Sequence, residues 1–238
     1  MRSAPTSGQI ERRVRAQADA ARARLLEGFF KTGPGQYGCG DRFLGLSMPQ
    51  VRALASGLRE TPLDVVEQLL DSPWHEVRML ALVILVNAYP HASPATKADI
   101  YRLYLRRTDR INNWDLVDVT APAVVGAHLL TRSRAPLRRL ARSKSLWERR
   151  IAIVATSAFI RRDEFDETLW IAERLLRDEH DLIHKAVGWM LREVGKRDMP
   201  TLCRFLDAHA ARMPRTALRY ALERLTPAQR KTYMEAAR

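Results

Sequence analysis

Hydrophobic residues recur with helical spacing in nearly every segment of the chain. From Met79 to Val86 the residues are apolar on most faces, which is typical of a helix buried on all sides. The sequence shows no sustained alternation of apolar and polar residues, and it lacks the Asn-Gly and Asp-Gly turns of hairpins. Prolines divide the chain into segments of about ten to twenty residues, the length of ordinary globular helices. The pattern predicts an all-α protein.

Short blocks with a polar start and an apolar stripe recur along the chain. Two-helix solenoid repeats have a spacing of this kind. Because the inner helices of a solenoid line one concave face, we expect the aligned positions to share one surface. These positions lie 31 to 40 residues apart and are Arg78, Asp118, Arg150, Ala186 and Ala217.

The N-terminal region does not follow this repeat. Residues 8–32 are predicted to form one amphipathic helix, and residues 33–46 form a glycine-rich loop. No strand precedes the loop and no Gly-Lys-Ser/Thr follows it, so it is not a phosphate-binding P-loop but a connector between helices. Tyr37 is the residue of this loop that could contact a ligand. We interpret residues 1–238 as a single repeat domain in which residues 1–32 are an N-terminal helical extension.

The charge of the chain points to a polyanionic partner. Forty Lys and Arg residues against 27 Asp and Glu give a formal net charge of +13, and only six of the basic residues are lysines. The planar guanidinium fork pairs with phosphate. The segment from Thr131 to Arg162 contains ten basic residues and a single acidic residue, Glu148. This run is either a solvated face or a groove that tracks phosphates, and its overlap with the expected concave face favours the groove.

The remaining residue types exclude several classes of site. Cys39 and Cys203 cannot form a disulfide framework, and they lack the spacing of a zinc site. Six scattered histidines include one pair four residues apart, His180 and His184, without a supporting cysteine or histidine cluster, so no metal site is predicted. With no apolar signal segment and no run long enough to span a bilayer, we expect a soluble protein of a reducing compartment.

A tryptophan and an aspartate lie four residues apart in the segment 112–118. On a helix, Trp114 and Asp118 share one face. A carboxylate in a basic groove repels phosphate, so Asp118 is suited to holding a cation or activating a water. The alternative is an aspartate paired with an arginine to stabilise the repeats. Asp115 is expected to cap the helix or to face solvent.

A second tryptophan, Trp189, follows Ala186 by three residues and keeps the same repeat register. Two indole faces near a carboxylate would favour a bound cation by about 0.5 to 2 kcal/mol. The other tryptophans, Trp74, Trp147 and Trp170, are expected to belong to the core.

Four motifs together resemble the bacterial DNA alkylation repair glycosylases of the AlkD type, over roughly residues 20 to 225. The combination of Trp-x-x-x-Asp, Trp-x-x-Arg and Gly-Trp-x-x-Arg-Glu in this order is specific. The motifs are YGCGDRFLG (37–45), NNWDLVD (112–118), LWERRIAI (146–153) and KAVGWMLREVGK (185–196).

The resemblance implies a right-handed-type α-solenoid of degenerate HEAT-like two-helix repeats with a concave basic face. It also implies a monofunctional glycosylase that excises positively charged 3-alkyladenine and 7-alkylguanine from duplex DNA without flipping the base. No cofactor is required, because alkylation already makes the purine a good leaving group. We expect a monomer in the bacterial cytoplasm, associated with the nucleoid.

The site residues implied by the resemblance fall on the quoted motifs. Trp114, Asp118 and Trp189 would form the catalytic cleft around the deoxyribose of the lesion. The expected DNA contacts are Arg150 at the adjacent phosphate, Tyr37 near the lesion backbone, and Arg149, Arg192 and Lys185.

Two other functions remain open from the sequence. A helical-repeat module could bind damaged or distorted DNA without cutting it, since fold alone does not separate binders from enzymes. A protein-binding HEAT scaffold would have an apolar or acidic groove, which the basic run opposes.

Overall fold

The computed structural model describes residues 5–236, and this part of the chain is helical, which confirms the predicted all-α class. Within it, β-type pairing is confined to one isolated bridge between Arg42 and Trp74. The chain packs as two compact units, the first ending at Thr120 and the second beginning at Ala121.

The first unit contains seven helices in its described part, and the last of these ends one residue beyond the boundary. They are α1 (Ser7–Arg15), α2 (Ala20–Phe29), α3 (Met48–Ser56), α4 (Leu63–Leu70), α5 (His75–Ala88), α6 (Pro94–Arg106) and α7 (Trp114–Ala121). Short 3-10 turns follow α5 and α6, at Tyr89–His91 and Thr108–Arg110.

The second unit opens with a π-helical turn, Pro122–Gly126, since Pro122 has no N–H with which to continue α7. Two 3-10 turns, Ala210–Arg212 and Leu222–Arg224, connect its last helices. The helices are α8 (Ala127–Leu129), α9 (Ala135–Leu140), α10 (Leu146–Ala155), α11 (Ser157–Ile160), α12 (Asp166–Leu175), α13 (Asp181–Arg197), α14 (Met199–His209), α15 (Arg215–Ala221) and α16 (Pro227–Ala236).

The single N-terminal helix predicted over residues 8–32 is instead two helices, α1 and α2. The break is caused by Asp19, whose side chain accepts a hydrogen bond from the backbone N–H of Arg22 at 3.0 Å. Its own N–H donates to the carbonyl oxygen of Leu44 at 2.8 Å. An aspartate that caps the following helix favours a new start over continuation of the previous one. The glycine-rich segment then runs between α2 and α3, as predicted.

Helix α5 is the centre of the first unit and packs against α3 and α4. Its residues from Val77 to Leu85 are all buried, as the continuous apolar pattern predicts. The first turn of α5 is also buried although it carries polar side chains, those of His75, Glu76 and Arg78. Buried polar groups require hydrogen-bond partners, and these three make the contacts that position the candidate site.

In the second unit, α10, α13 and α15 pack in sequence and form a central row. Helices α9, α12 and α14 flank this row, each against the central helix nearest in sequence. The row is tight because Gly188 lies directly against α15. A Cβ atom at Gly188 would lie 2.3 Å from the carbonyl oxygen of Ala217.

Arginines bridge successive helical repeats in both units. Arg138 donates to Glu167, 29 residues away, and Arg192 donates to Glu223, 31 residues away. In the first unit Arg106 donates to Glu67, 39 residues away. These separations of 29 to 39 residues are close to the spacing of 31 to 40 residues predicted from the sequence. Many of the arginines therefore link one repeat to the next.

Candidate functional site

Trp114 and Asp118 lie on consecutive turns of α7, and both side chains are half-buried. The side-chain oxygen of Asn113 accepts a hydrogen bond from the N–H of Trp114 at 2.8 Å, at the start of the helix. Spacing of four residues places an indole and a carboxylate on the same face of α7. The pair predicted from the sequence is therefore brought together.

The plane of Trp114 is set by a row of stacked rings. Trp114 stacks on Phe30, with ring centres 5.2 Å apart and an angle of 19° between the planes. Phe30 stacks on Phe43 at 5.0 Å, and Phe43 stacks on the imidazole of His75 at 4.5 Å. Phe29 meets the edge of Trp114 at 5.9 Å and is itself 62% exposed. The indole is thus held in orientation while part of its surface stays accessible.

His75, the first residue of α5, lies between two carboxylates, those of Asp41 and of Asp115 in the first turn of α7. Its Nδ1 is 3.1 Å from Oδ2 of Asp41, and its Nε2 is 2.8 Å from Oδ2 of Asp115. Both ring nitrogens face acceptors, so both must donate, which requires the imidazolium form. Burial works to lower the pKa of His75, but the charges and hydrogen bonds of Asp115 and Asp41 outweigh it and raise the pKa to about 9.

Asp41 is the hub of this buried cluster. It also accepts hydrogen bonds from Arg78 at 2.5 Å and from the side-chain amide of Asn113 at 3.1 Å. Burial works to raise the pKa of Asp41, but the His75 hydrogen bond and the Arg78 charge prevail and lower it to about 2. The carboxylate stays ionised and ties the segment before α3 to the beginning of α7.

This cluster was not predicted from the sequence, and the expectation for Asp115 was wrong in part. Its Oδ1 accepts from the N–H of the next residue, Leu116, at 2.8 Å, and its Oδ2 faces His75 rather than solvent. The partners of Asp41 lie 34 to 72 residues away in sequence. The available clue was the polar start of α5, with His75, Glu76 and Arg78 directly before an apolar run.

Asp118 is close to a second buried polar group, the hydroxyl of Tyr104. This hydroxyl lies 2.8 Å from Oγ1 of Thr120. Burial, followed by the negative charge of Asp118, raises the pKa of Tyr104 well above its usual value. Tyr104 therefore stays neutral beside Asp118.

The glycine-rich loop is anchored at both ends. Glu76 accepts hydrogen bonds from three consecutive backbone N–H groups, those of residues 44–46, at 2.8 to 3.2 Å. Gly38 donates to the carbonyl oxygen of Lys31 at 3.1 Å. Tyr37 is half-buried, and its hydroxyl donates to the carbonyl oxygen of Phe29 at 3.5 Å. Tyr37 thus lies at the end of α2 that also holds the ring contacts to Trp114.

The other predicted site residues belong to the second unit. Trp189, on α13, is half-buried, and its Nε1 donates to Oε1 of Glu193 at 3.2 Å. Arg150, on α10, is only 4% exposed and donates through one terminal nitrogen to the carbonyl oxygen of Leu182. The polar contact of Trp189 orients its indole on α13.

Three further predicted DNA contacts already bind protein groups. Arg149 donates to both oxygens of Asp178 and to the carbonyl oxygens of residues 143 and 144. Arg192 donates to Glu223 and Glu193. Lys185 pairs with Asp181 at 2.8 Å. Asp181 and Glu193 lie on α13 beside their partners, so these two contacts were visible in the sequence. Asp178 and Glu223 lie 29 and 31 residues from their arginines, and a motif does not reveal such contacts.

The tryptophans expected in the core are half-buried. The guanidinium of Arg42 lies 4.5 Å from the ring centre of Trp74. Trp170 carries two such contacts, from Arg138 at 5.0 Å and from Arg142 at 5.3 Å. These rings support arginines near the surface and do not fill the interior.

Residues 5–236 contain neither a candidate metal site nor a helix suited to span a membrane. No group of three or more His, Cys, Asp or Glu side chains is arranged to hold a metal ion. No helix in this range is long and apolar enough to cross a membrane.

Comparison with known proteins connects these features to one family. The model of the family described as DNA alkylation repair enzyme matches residues 10–225. A solved structure described as a predicted DNA alkylation repair enzyme from Enterococcus faecalis superposes with a TM-score of 0.69 and 16% identity, covering 89% of this chain and 98% of that one. That likeness shows the fold. A crystal structure of smu.31 from Streptococcus mutans UA159 is also 16% identical, with a TM-score of 0.47 and coverage of 97% and 95%. No curated protein matches the chain.

Proposed function

The chain belongs to the DNA alkylation repair enzyme family, and from this premise we propose that it is a monofunctional DNA glycosylase. Its substrates are positively charged 3-alkyladenine and 7-alkylguanine in duplex DNA. It hydrolyses the bond between the purine and the deoxyribose, without flipping the base out of the helix. No metal or organic cofactor takes part in the proposed reaction.

The observation that carries the proposal is the pairing of Trp114 with Asp118 on one face of α7. As the glycosidic bond lengthens, positive charge develops on the deoxyribose. A carboxylate and an aromatic face stabilise positive charge where it forms, and they are most effective when they are held in place beforehand. The ring stack from His75 to Trp114 and the hydrogen bonds at the start of α7 provide that rigidity.

The proposed chemical step is a displacement by water. Asp118 orients a water molecule whose oxygen forms a bond to the anomeric carbon of the deoxyribose. The bond from that carbon to the purine nitrogen breaks, and its electron pair neutralises the alkylated ring. The proton released by the water passes to Asp118 and then to solvent. The products are a neutral alkylpurine and DNA with an abasic site.

The remaining residues of the family motifs contribute further groups to the proposal. Trp189 supplies a second aromatic surface, and Arg150 and Tyr37 contact the DNA backbone, as their motifs imply. An arginine has five N–H donors, so a guanidinium that already binds a carbonyl can also bind a phosphate. Arg149 is held by four protein acceptors and so acts mainly in joining residues 143 and 144, before α10, to Asp178, after α12.

The competing function is a module that binds damaged DNA without cleaving it. Both functions predict binding to duplex DNA, but only a glycosylase releases free base. The purified protein should be incubated with methylated duplex DNA, and released bases should be separated by chromatography. We expect 3-methyladenine and 7-methylguanine in the soluble fraction and none from unmethylated DNA. Binding of methylated DNA without released base would favour the non-catalytic module.

A further inference from the structure

A cleft of about 400 Å³ in the second unit is lined mainly by arginines. It lies where the flanking helices end and belongs to none of the motifs described above. Its polar and aromatic lining consists of Arg142, Arg174, Arg177, Arg212, Trp170 and Glu173.

Three of these arginines hold the same position in successive repeats. Arg142, Arg177 and Arg212 are separated by 35 residues each. The first two follow α9 and α12 by two residues, and the third ends the 3-10 turn after α14. The repeat therefore supplies one guanidinium for each flanking helix, in a row along one side of the unit.

The arginines of the cleft differ from others of the second unit in their partners. Arg134, Arg138 and Arg197 each pair with a carboxylate on another repeat. In the described part of the chain, Arg142 and Arg177 have no carboxylate partner, and neither does Arg174. These three side chains are exposed.

One acidic residue, Glu173, reduces the positive charge of the cleft. Glu173 lies 3.7 Å from Arg212, whose guanidinium also contacts Nδ1 of His209 at 2.7 Å. Four arginines against one glutamate leave a net positive charge in a concave surface. Concave surfaces lined by one sign of charge concentrate the field and attract ligands of the opposite sign.

Trp170 orients the first arginine of the row. The guanidinium of Arg142 lies 5.3 Å from the ring centre of Trp170, and that of Arg138 lies 5.0 Å from it. Stacking on an aromatic face restricts a guanidinium and leaves its N–H edge directed outward. Trp170 therefore holds the guanidinium of Arg142 in a defined orientation.

The helix dipole gives a partial structural explanation of the row. Cations near a helix C-terminus are stabilised by the negative end of the helix dipole. That effect accounts for one arginine at each helix end. It accounts equally for Arg174, in the last turn of α12, but it does not explain why Arg142, Arg174 and Arg177 lack the carboxylate partners found elsewhere.

We propose that this arginine cleft binds consecutive phosphates of a DNA strand. The inference rests on the proposed function, which makes duplex DNA the substrate, and it assigns phosphate binding to residues outside the family motifs. A linear series of regularly placed guanidinium forks matches a linear series of phosphates, each bound through two parallel hydrogen bonds. Phosphate contacts fix the position of a protein on DNA without reading the sequence.

The test is the salt dependence of binding to a labelled, undamaged DNA duplex. Each phosphate contact contributes about −0.9 to the slope of log affinity against log salt. The double variant Arg142→Gln/Arg177→Gln should reduce the slope by about two units and weaken binding at low salt. Arg142→Lys/Arg177→Lys keeps the charge and should retain most of the slope. The matched control is Arg224→Gln/Lys231→Gln, which removes two exposed charges of the same unit outside the cleft.

The outcomes separate this inference from the proposed function. A slope reduced in the glutamine variant but kept in the control supports the cleft, whether or not the protein releases base. Equal slopes for the glutamine variant and the control overturn it, even if excision of alkylpurines is observed. Thermal melting of each variant checks that the fold is kept.

Discussion

The Nε2 nitrogen of His75 donates to Oδ2 of Asp115 at 2.8 Å, and so joins the first turn of α5 to the first turn of α7. Asp115 directly follows Trp114, and Asp118 lies one turn further along the same helix. The buried imidazolium thus stabilises the helix start on which the proposed reaction depends. Its role is to position the site, since it does not touch the reacting groups.

The stability of the protein should fall as pH rises from about 6.5 to about 9. The pKa of His75 is raised from 6.5 to about 9, so the folded state holds the proton more tightly than the unfolded state. This contribution is fully present below pH 6.5 and is lost as pH rises through 9. Each pKa unit corresponds to about 1.4 kcal/mol, so the loss amounts to about 3 kcal/mol. Urea unfolding at a series of pH values measures it.

The variant His75→Gln is the control for this dependence. It should be less stable than the parent protein by about 3 kcal/mol near neutral pH, because two carboxylates lose their shared cation. Its free energy of unfolding should change little between pH 6.5 and 9. An equally steep decline in the variant would show that another group is responsible.

Gly45 should tolerate no side chain. Its φ of +92° is a conformation that favours glycine, and a Cβ atom there would lie 2.2 Å from the carbonyl oxygen of Asp19. Gly45→Ala is expected to lower the free energy of unfolding by at least about 2 kcal/mol. Gly57→Ala is the control, since Gly57 has a φ of −92° and open space around its Cα, and it should stay within about 1 kcal/mol of the parent. Similar losses for both would contradict the close contact.

Phe29 and Leu25 provide a matched pair for testing the ring stack. The two residues lie one turn apart on α2, and both side chains are exposed, Phe29 by 62% and Leu25 by 74%. Of the two, Phe29 makes the ring contact with Trp114. An edge-on aromatic contact contributes about 0.5 to 1.5 kcal/mol, so Phe29→Ala should slow excision about two- to tenfold with little change in stability. Leu25→Ala should excise at the parental rate. Equal effects of both changes would mean that the contact does not position Trp114.

Sequence periodicity was sufficient to predict the helical class, the burial of α5 and the placement of Trp114 and Asp118 on one face of a helix. Each of these features depends on residues that are close together in the chain. The buried cluster could not be predicted, because Asp41 meets its partners only after the chain has folded. The break between α1 and α2 was missed for a similar reason, since the Asp19 cap is reinforced by a bond to Leu44. The basic composition indicated a polyanion, but it could not show which arginines bind carboxylates.

The charge of the lesion should decide which bases are released. A carboxylate and indole rings stabilise a positive sugar but do not supply a proton to a neutral leaving base. We expect release of 7-methylguanine and 3-methyladenine and little release of hypoxanthine or uracil from matched duplexes. Efficient release of uracil would require a proton donor that this mechanism lacks.

The central claim is that the carboxylate of Asp118 carries the reaction, and its most direct test is single-turnover excision of 7-methylguanine by Asp118→Asn with protein in excess over DNA. Asp109→Asn is the matched control, because Asp109 is an exposed aspartate of the same unit outside the proposed site. We predict that Asp118→Asn excises about a hundredfold more slowly or worse while its affinity for DNA is kept or improved, and that Asp109→Asn matches the parent. Excision by Asp118→Asn at the parental rate would contradict the assignment.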